Sequence, residues 1–67
     1  MSKTEYAWVI QRDDGKFYVD TSLGKNIFTD KISLAYKDTF EWIKYHIELF
    51  KLQNCRPVKV ELRVVGE

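Results

Sequence analysis

The chain has 67 residues, 45% of them apolar and 15% aromatic, with eleven basic side chains against ten acidic ones. That length supports a single domain over residues 1–67 with a modest core, and so many apolar side chains exclude a purely solvated, disordered chain. Balanced charge argues against a protein built to neutralise phosphates or to lie on an anionic membrane, because either needs a basic excess.

Cys55 is the one cysteine, so a disulfide within these residues and metal sites built on paired cysteines are both excluded. No apolar run approaches the roughly 20 residues of a spanning helix. The first residues lack the basic-then-apolar pattern of a secretory leader. These features lead to the expectation of a cytoplasmic protein with no cofactor and no membrane partner.

In chain order, "EYAWVIQR" (Glu5 to Arg12) is rich in aromatic and β-branched residues and lacks Gly and Pro, which reads as a strand. "DDGK" follows, with Gly15 free to take the positive φ that closes a hairpin, and "KFYVDT" (Lys16 to Thr21) resumes the strand pattern. "SLGKN" reads as a turn or loop around Gly24. In "IFTDKISLAYK", Ile32, Leu34 and Tyr36 alternate with Ser33, Ala35 and Lys37, which favours a short third strand over a helical turn starting near Thr29.

Asp38, with Glu41 three residues on, has the spacing of a capping box, and helical periodicity continues to about Gln53. "QNCRP" stops it, with Asn54 as a plausible C-terminal cap. In "PVKVELRVV" the residues Val58, Val60, Leu62 and Val64 alternate with Lys59, Glu61 and Arg63, the pattern of a strand with one buried face. The expected fold is α+β: a mixed sheet of three or four strands with one amphipathic helix on one face. A right-handed crossover would bring the last strand parallel to the first.

The helix carries more apolar surface than one sheet can cover. At about 100° per residue, Phe40, Ile43, Ile47 and Phe50 form one stripe. Trp42, Tyr45, Leu49 and Leu52 form a second, roughly 160° away by the same arithmetic. The first stripe suits the sheet, being fully apolar. The second needs another cover: the loop Ser22 to Phe28, a second copy in a homodimer, or another protein. Contiguous exposed apolar residues mark contact sites, and Trp and Tyr dominate binding hot spots. The candidate partner-binding residues are therefore Trp42, Tyr45, His46, Leu49 and Leu52.

No catalytic site emerges. His46 is the one histidine, and its helical neighbours Trp42 and Phe50 offer it aromatic walls without a carboxylate. Cys55 follows the helix C-terminus, where the dipole disfavours a thiolate. "DDG" lacks the spaced ligands of a calcium loop, and "LGKN" lacks the setting of a phosphate cradle. The alternative function is single-stranded nucleic-acid binding on the sheet, with Tyr18 as a stacking platform among Lys16, Lys59 and Arg63. Tyr6 and Trp8 are further rings available to that face, and core packing is the competing role for all three.

In the order of its elements, "YAWVIQRDDGKFYV", then "FTDKISLAYK", a capped helix and a final strand, the chain resembles small proteins of phages and other mobile elements. The resemblance implies a protein-directed inhibitor or modulator of a host protein, and no functional residue is carried over from it.

Overall fold

The computed structural model describes the backbone of residues 2–65 and the side chains of residues 5–62. In chain order it contains β1 (Ser2–Arg12), β2 (Phe17–Ser22), β3 (Lys25–Thr29), a 3-10 turn (Ile32–Leu34), α1 (Phe40–Leu49) and β4 (Cys55–Val65). The α+β class holds. The strands form one sheet in the order β3-β2-β1-β4, and every neighbouring pair is antiparallel.

Two tight turns set the hairpins. Between β1 and β2, Gly15 at φ 90° donates its N–H to Arg12 O at 2.9 Å, and Arg12 N–H reaches Lys16 O at 2.8 Å. This is a three-residue turn whose last position demands the left-handed region. Asp14 braces it, accepting from Arg12 Nε at 3.1 Å, Arg12 Nη2 at 2.8 Å and Lys16 N–H at 3.1 Å. Between β2 and β3, Leu23 and Gly24 both have positive φ, 51° and 75°. That is the two-residue turn whose twist suits a hairpin. "SLGKN" therefore opens a strand, and no loop lies there to cover the helix.

The third strand is thus Lys25–Thr29, and Ile32–Tyr36 is not a strand. After Gln11↔Phe17, β2 departs from β1. The chain from Tyr36 to Asp38 fills the gap: Tyr36 N–H donates to Tyr18 O, and Asp38 exchanges backbone bonds with Trp8 at 2.9 and 3.1 Å. Ile32–Leu34 turns the chain toward that slot, and the Lys37 ammonium caps the carbonyls of Ile32 and Ala35 at 2.9 and 3.1 Å.

Because Asp38 is engaged as a short strand, the helix cap falls one residue later. Thr39 Oγ1 accepts from Trp42 N–H at 3.4 Å, while Asp38 Oδ1 accepts from Thr39 N–H at 2.8 Å. Glu41 consequently stands too early to complete a capping box. At the other end the helix stops at Leu49, not Gln53. Lys51 takes φ 50°, its N–H bonds Glu48 O, and Leu52 N–H bonds Ile47 O. This left-handed cap satisfies the last carbonyls and turns the next apolar residue inward. Asn54, at φ 59°, serves the following turn and is not the cap.

The last strand is antiparallel to β1, where a parallel crossover was expected. The helix begins beside Trp8, halfway along β1, and its ten residues advance about 15 Å toward the hairpin end. Asp13 N–H receives Asn54 O there, so β4 starts opposite Arg12 and runs back to pair Ser2 with Val65. Because the helix runs toward the hairpin end, the chain emerges beside Asp13, where a strand along β1 can only run back antiparallel.

Ile10, Tyr18, Ile43 and Leu52 form the buried centre, with Trp8, Phe28, Tyr36, Ile47 and Cys55 packed around it. Burying such aliphatic side chains contributes about 1.5–3 kcal/mol each. The helix lies on the Trp8–Ile10 face of β1. Val58, Val60 and Leu62 occupy the opposite pleat with Val9, because Val9 pairs with Val58 and Ala7 with Val60.

Candidate functional site

The two-stripe helix resolves into one buried and one open face. Ile43 is fully buried, Ile47 and Phe40 are half-buried, and Phe40 meets the Trp8 ring at 4.7 Å between centroids. Phe50, at the helix end, stacks on Tyr18 at 6.5 Å and keeps an exposed edge. On the other side Trp42 is 53% exposed, Tyr45 50% and Leu49 52%. The rings of Trp42 and Tyr45 meet edge to face at 5.4 Å, and Leu49 stands one turn beyond Tyr45. Three of the five expected contact residues therefore form one ridge in water.

Leu52 does not belong to that ridge. It is 5% exposed, inside the core, because the helix ended three residues earlier and the left-handed Lys51 redirected the chain. Helical periodicity had been extended past the point where the helix exists.

His46 is half-buried at the margin of the ridge, beside Trp42. Its ring lies 4.8 Å from Tyr36, 5.7 Å from Phe50 and 6.3 Å from both Trp42 and Tyr45. Nδ1 sits 2.9 Å from the Trp42 carbonyl, to which it donates. Trp42 and Phe50 were legible as its neighbours from i±4 spacing. Tyr36 was not, since it arrives from the slot between β1 and β2. Burial pushes the Tyr36 phenol up to about 12, and its hydrogen bond to Asp38 adds to this while holding the Asp38 carboxyl below its ordinary value.

Charged residues flank the ridge on one side. Phe40, Glu41, Lys44, Tyr45 and Glu48 line a shallow depression of about 380 Å³, with Lys44 Nζ 5.5 Å from the centre of the Phe40 ring. Ile32 and Leu34, read as residues of a third strand, are exposed on the 3-10 turn.

Of the sheet residues named for nucleic acid, Tyr18, Lys16 and Lys59 are not brought together. Tyr18 is 2% exposed, its hydroxyl 2.6 Å from Thr21 Oγ1 and its ring against Phe28 and Tyr36. Lys16 is exposed at the hairpin turn, while Lys59 lies across β1, opposite Trp8, with its ammonium 4.5 Å from the Tyr6 ring. The side chain of Arg63 lies outside the described residues.

Burial raises the Cys55 thiol above its ordinary pKa, and Sγ donates to Gln53 O at 3.3 Å. Among the described residues no three His, Cys, Asp or Glu side chains gather to hold a metal ion, and no helix is long and apolar enough to cross a membrane. Compared with known proteins, the chain matches no family model, no curated protein and no solved structure.

Proposed function

We propose that the protein is a non-enzymatic module of the cytoplasm that binds another protein through the open face of α1. The observation that carries this reading is the continuous ridge of Trp42, Tyr45 and Leu49, each about half exposed on a rigid helix. A half-exposed Trp–Tyr pair is costly to leave in water and is the chemistry that anchors hot spots. The anchors enter an apolar groove of the partner, while Glu41, Lys44 and Glu48 set orientation at the rim. His46, with Tyr36 packed against it, borders the ridge. The resemblance to small phage proteins adds inhibition or modulation of a host protein as the effect of such binding. Single-strand binding by the sheet is the less supported reading, since Tyr18, its intended platform, is in the core.

The test is a double variant, Trp42→Ala with Leu49→Ala, used beside the native protein to recover partners and then to titrate the one recovered. Each truncated anchor is expected to cost about 2 kcal/mol or more, so affinity falls at least about 100-fold while the far-UV spectrum and cooperative melting persist. Unchanged affinity in a folded double variant overturns the proposal.

A further inference from the structure

We propose that the outer edge of β4 pairs with the same edge of a second copy, antiparallel and centred on Val60. This surface is separate from the helix ridge and does not depend on it.

β4 is an eleven-residue strand at the end of the sheet order, with β1 on its inner side and no strand beyond it among the described residues. Its hydrogen-bonding parity is fixed by Trp8. Trp8 gives its N–H and C=O to Asp38, away from β4, so the pair Trp8↔Lys59 is one in which neither residue bonds across the β1–β4 ladder. Lys59 and, two residues on, Glu61 therefore aim their backbone N–H and C=O outward. Val58, Val60 and Leu62 aim theirs at β1. Pro57 shares the outward parity, where its missing N–H costs the β1–β4 ladder nothing and leaves only its carbonyl for a second copy.

A twofold axis through Val60 sets Lys59 of one copy opposite Glu61 of the other, twice. Both members of that pair are outward residues, so they exchange both backbone bonds as a hydrogen-bonded pair requires. Their side chains stand on the same face with opposite charge, the favourable cross-strand arrangement. On the other face Val60 meets Val60, and Val58 meets Leu62, which joins the half-buried apolar pleats of the two sheets. The neighbouring allowed registers fail. Centring on Lys59 sets lysine against lysine, and centring on Glu61 sets glutamate against glutamate. Val60 is also the midpoint of Cys55–Val65, so this register alone overlaps the two strands over their full length, with one backbone bond absent at each Pro57–Arg63 pair. A lysine and a proline on an edge ordinarily discourage indiscriminate pairing. Here the lysine, set against Glu61, leaves one register favoured, and the proline removes one bond from each end in any register.

The experiment uses the full chain and measures solution mass by light scattering from micromolar to millimolar concentration. Native protein is expected to reach a dimer. Lys59→Glu alone and Glu61→Lys alone each replace two opposite-charge pairs with two like-charge pairs, so the dissociation constant rises at least about tenfold. An equal mixture of these two variants restores a dimer, because each then meets the complementary chain, and Lys59→Glu with Glu61→Lys in one chain dimerises with itself. Amide protection at Lys59 and Glu61 rises with protein concentration, while protection at Val58 and Val60, already bonded to β1, does not. A native protein that stays monomeric at millimolar concentration overturns the proposal. So does a dimer that survives both single reversals, a loss that the mixture does not repair, or a dimer abolished by Trp42→Ala, which would locate self-association on the helix.

Discussion

Individual residues decide the turns, and two of them are open to direct test. Leu23 occupies a left-handed position at φ 51° with its side chain in water, where the apolar chain gains nothing and its Cβ strains the backbone. That conformation costs an ordinary residue about 1–2 kcal/mol, and Asn tolerates it better. Leu23→Asn is therefore expected to stabilise the protein by about 1 kcal/mol, raising Tm by about 4–8 °C in a domain of this size. Unchanged or lower Tm in a thermal melt contradicts that account of the turn. Asp14 gives a pH signature. The Arg12 hydrogen bonds, and then the Lys16 amide, hold its carboxyl down at about 2. A depressed folded value means that the unfolded chain binds the proton first. Its stabilising contribution is complete above the ordinary carboxylate value of about 4 and disappears as pH falls toward about 2. The stability gap between native protein and Asp14→Asn should then be widest near neutrality and close on acidification. A gap independent of pH would mean that the ion pair contributes nothing.

At the scale of elements, the helix explains both what was legible and what was not. Spacing from Phe40 to Leu49 correctly separated a sheet-facing stripe with Ile43 at its centre from an outer stripe of Trp42, Tyr45 and Leu49. It failed at Leu52, because periodicity cannot see a left-handed residue such as Lys51 that is neither Gly nor Asn. The two leucines make the distinction measurable. Leu52→Ala should destabilise by about 2–5 kcal/mol as a core truncation, whereas Leu49→Ala should stay within about 0.5 kcal/mol. Equal losses on urea unfolding would mean that the ridge is covered after all. The misplaced third strand has a similar origin. Alternation at Ile32, Leu34 and Tyr36 is genuine, but the positions adjoin a gap left by the diverging β2, and only Tyr36 to Asp38 find strand-like partners.

The whole molecule measures 42 × 22 × 22 Å, its length set by the β1–β4 ribbon. Two surfaces lie apart on it: the ridge on the outer side of α1 and the outer edge of β4. Their proposed roles are separable. The Trp42 and Leu49 substitutions are expected to leave solution mass unchanged, and the Lys59 and Glu61 reversals to leave capture of another protein through the helix intact. Cross-talk between the two sets would show one shared surface.

The sequence alone determined the class of fold, the first hairpin, the existence of the helix and its excess of apolar surface. Each of these follows from local spacing: period two, period 3.6, and a glycine where positive φ is required. Tertiary structure decided the direction of β4, the position of the third strand, the burial of Tyr18 and Leu52, and the placing of Tyr36 against His46. Those outcomes depend on where the chain emerges after a ten-residue helix and on which strand offers free backbone groups. Neither quantity is encoded in a pattern of neighbours. Both appear only once the ends of distant segments compete for the same hydrogen bonds.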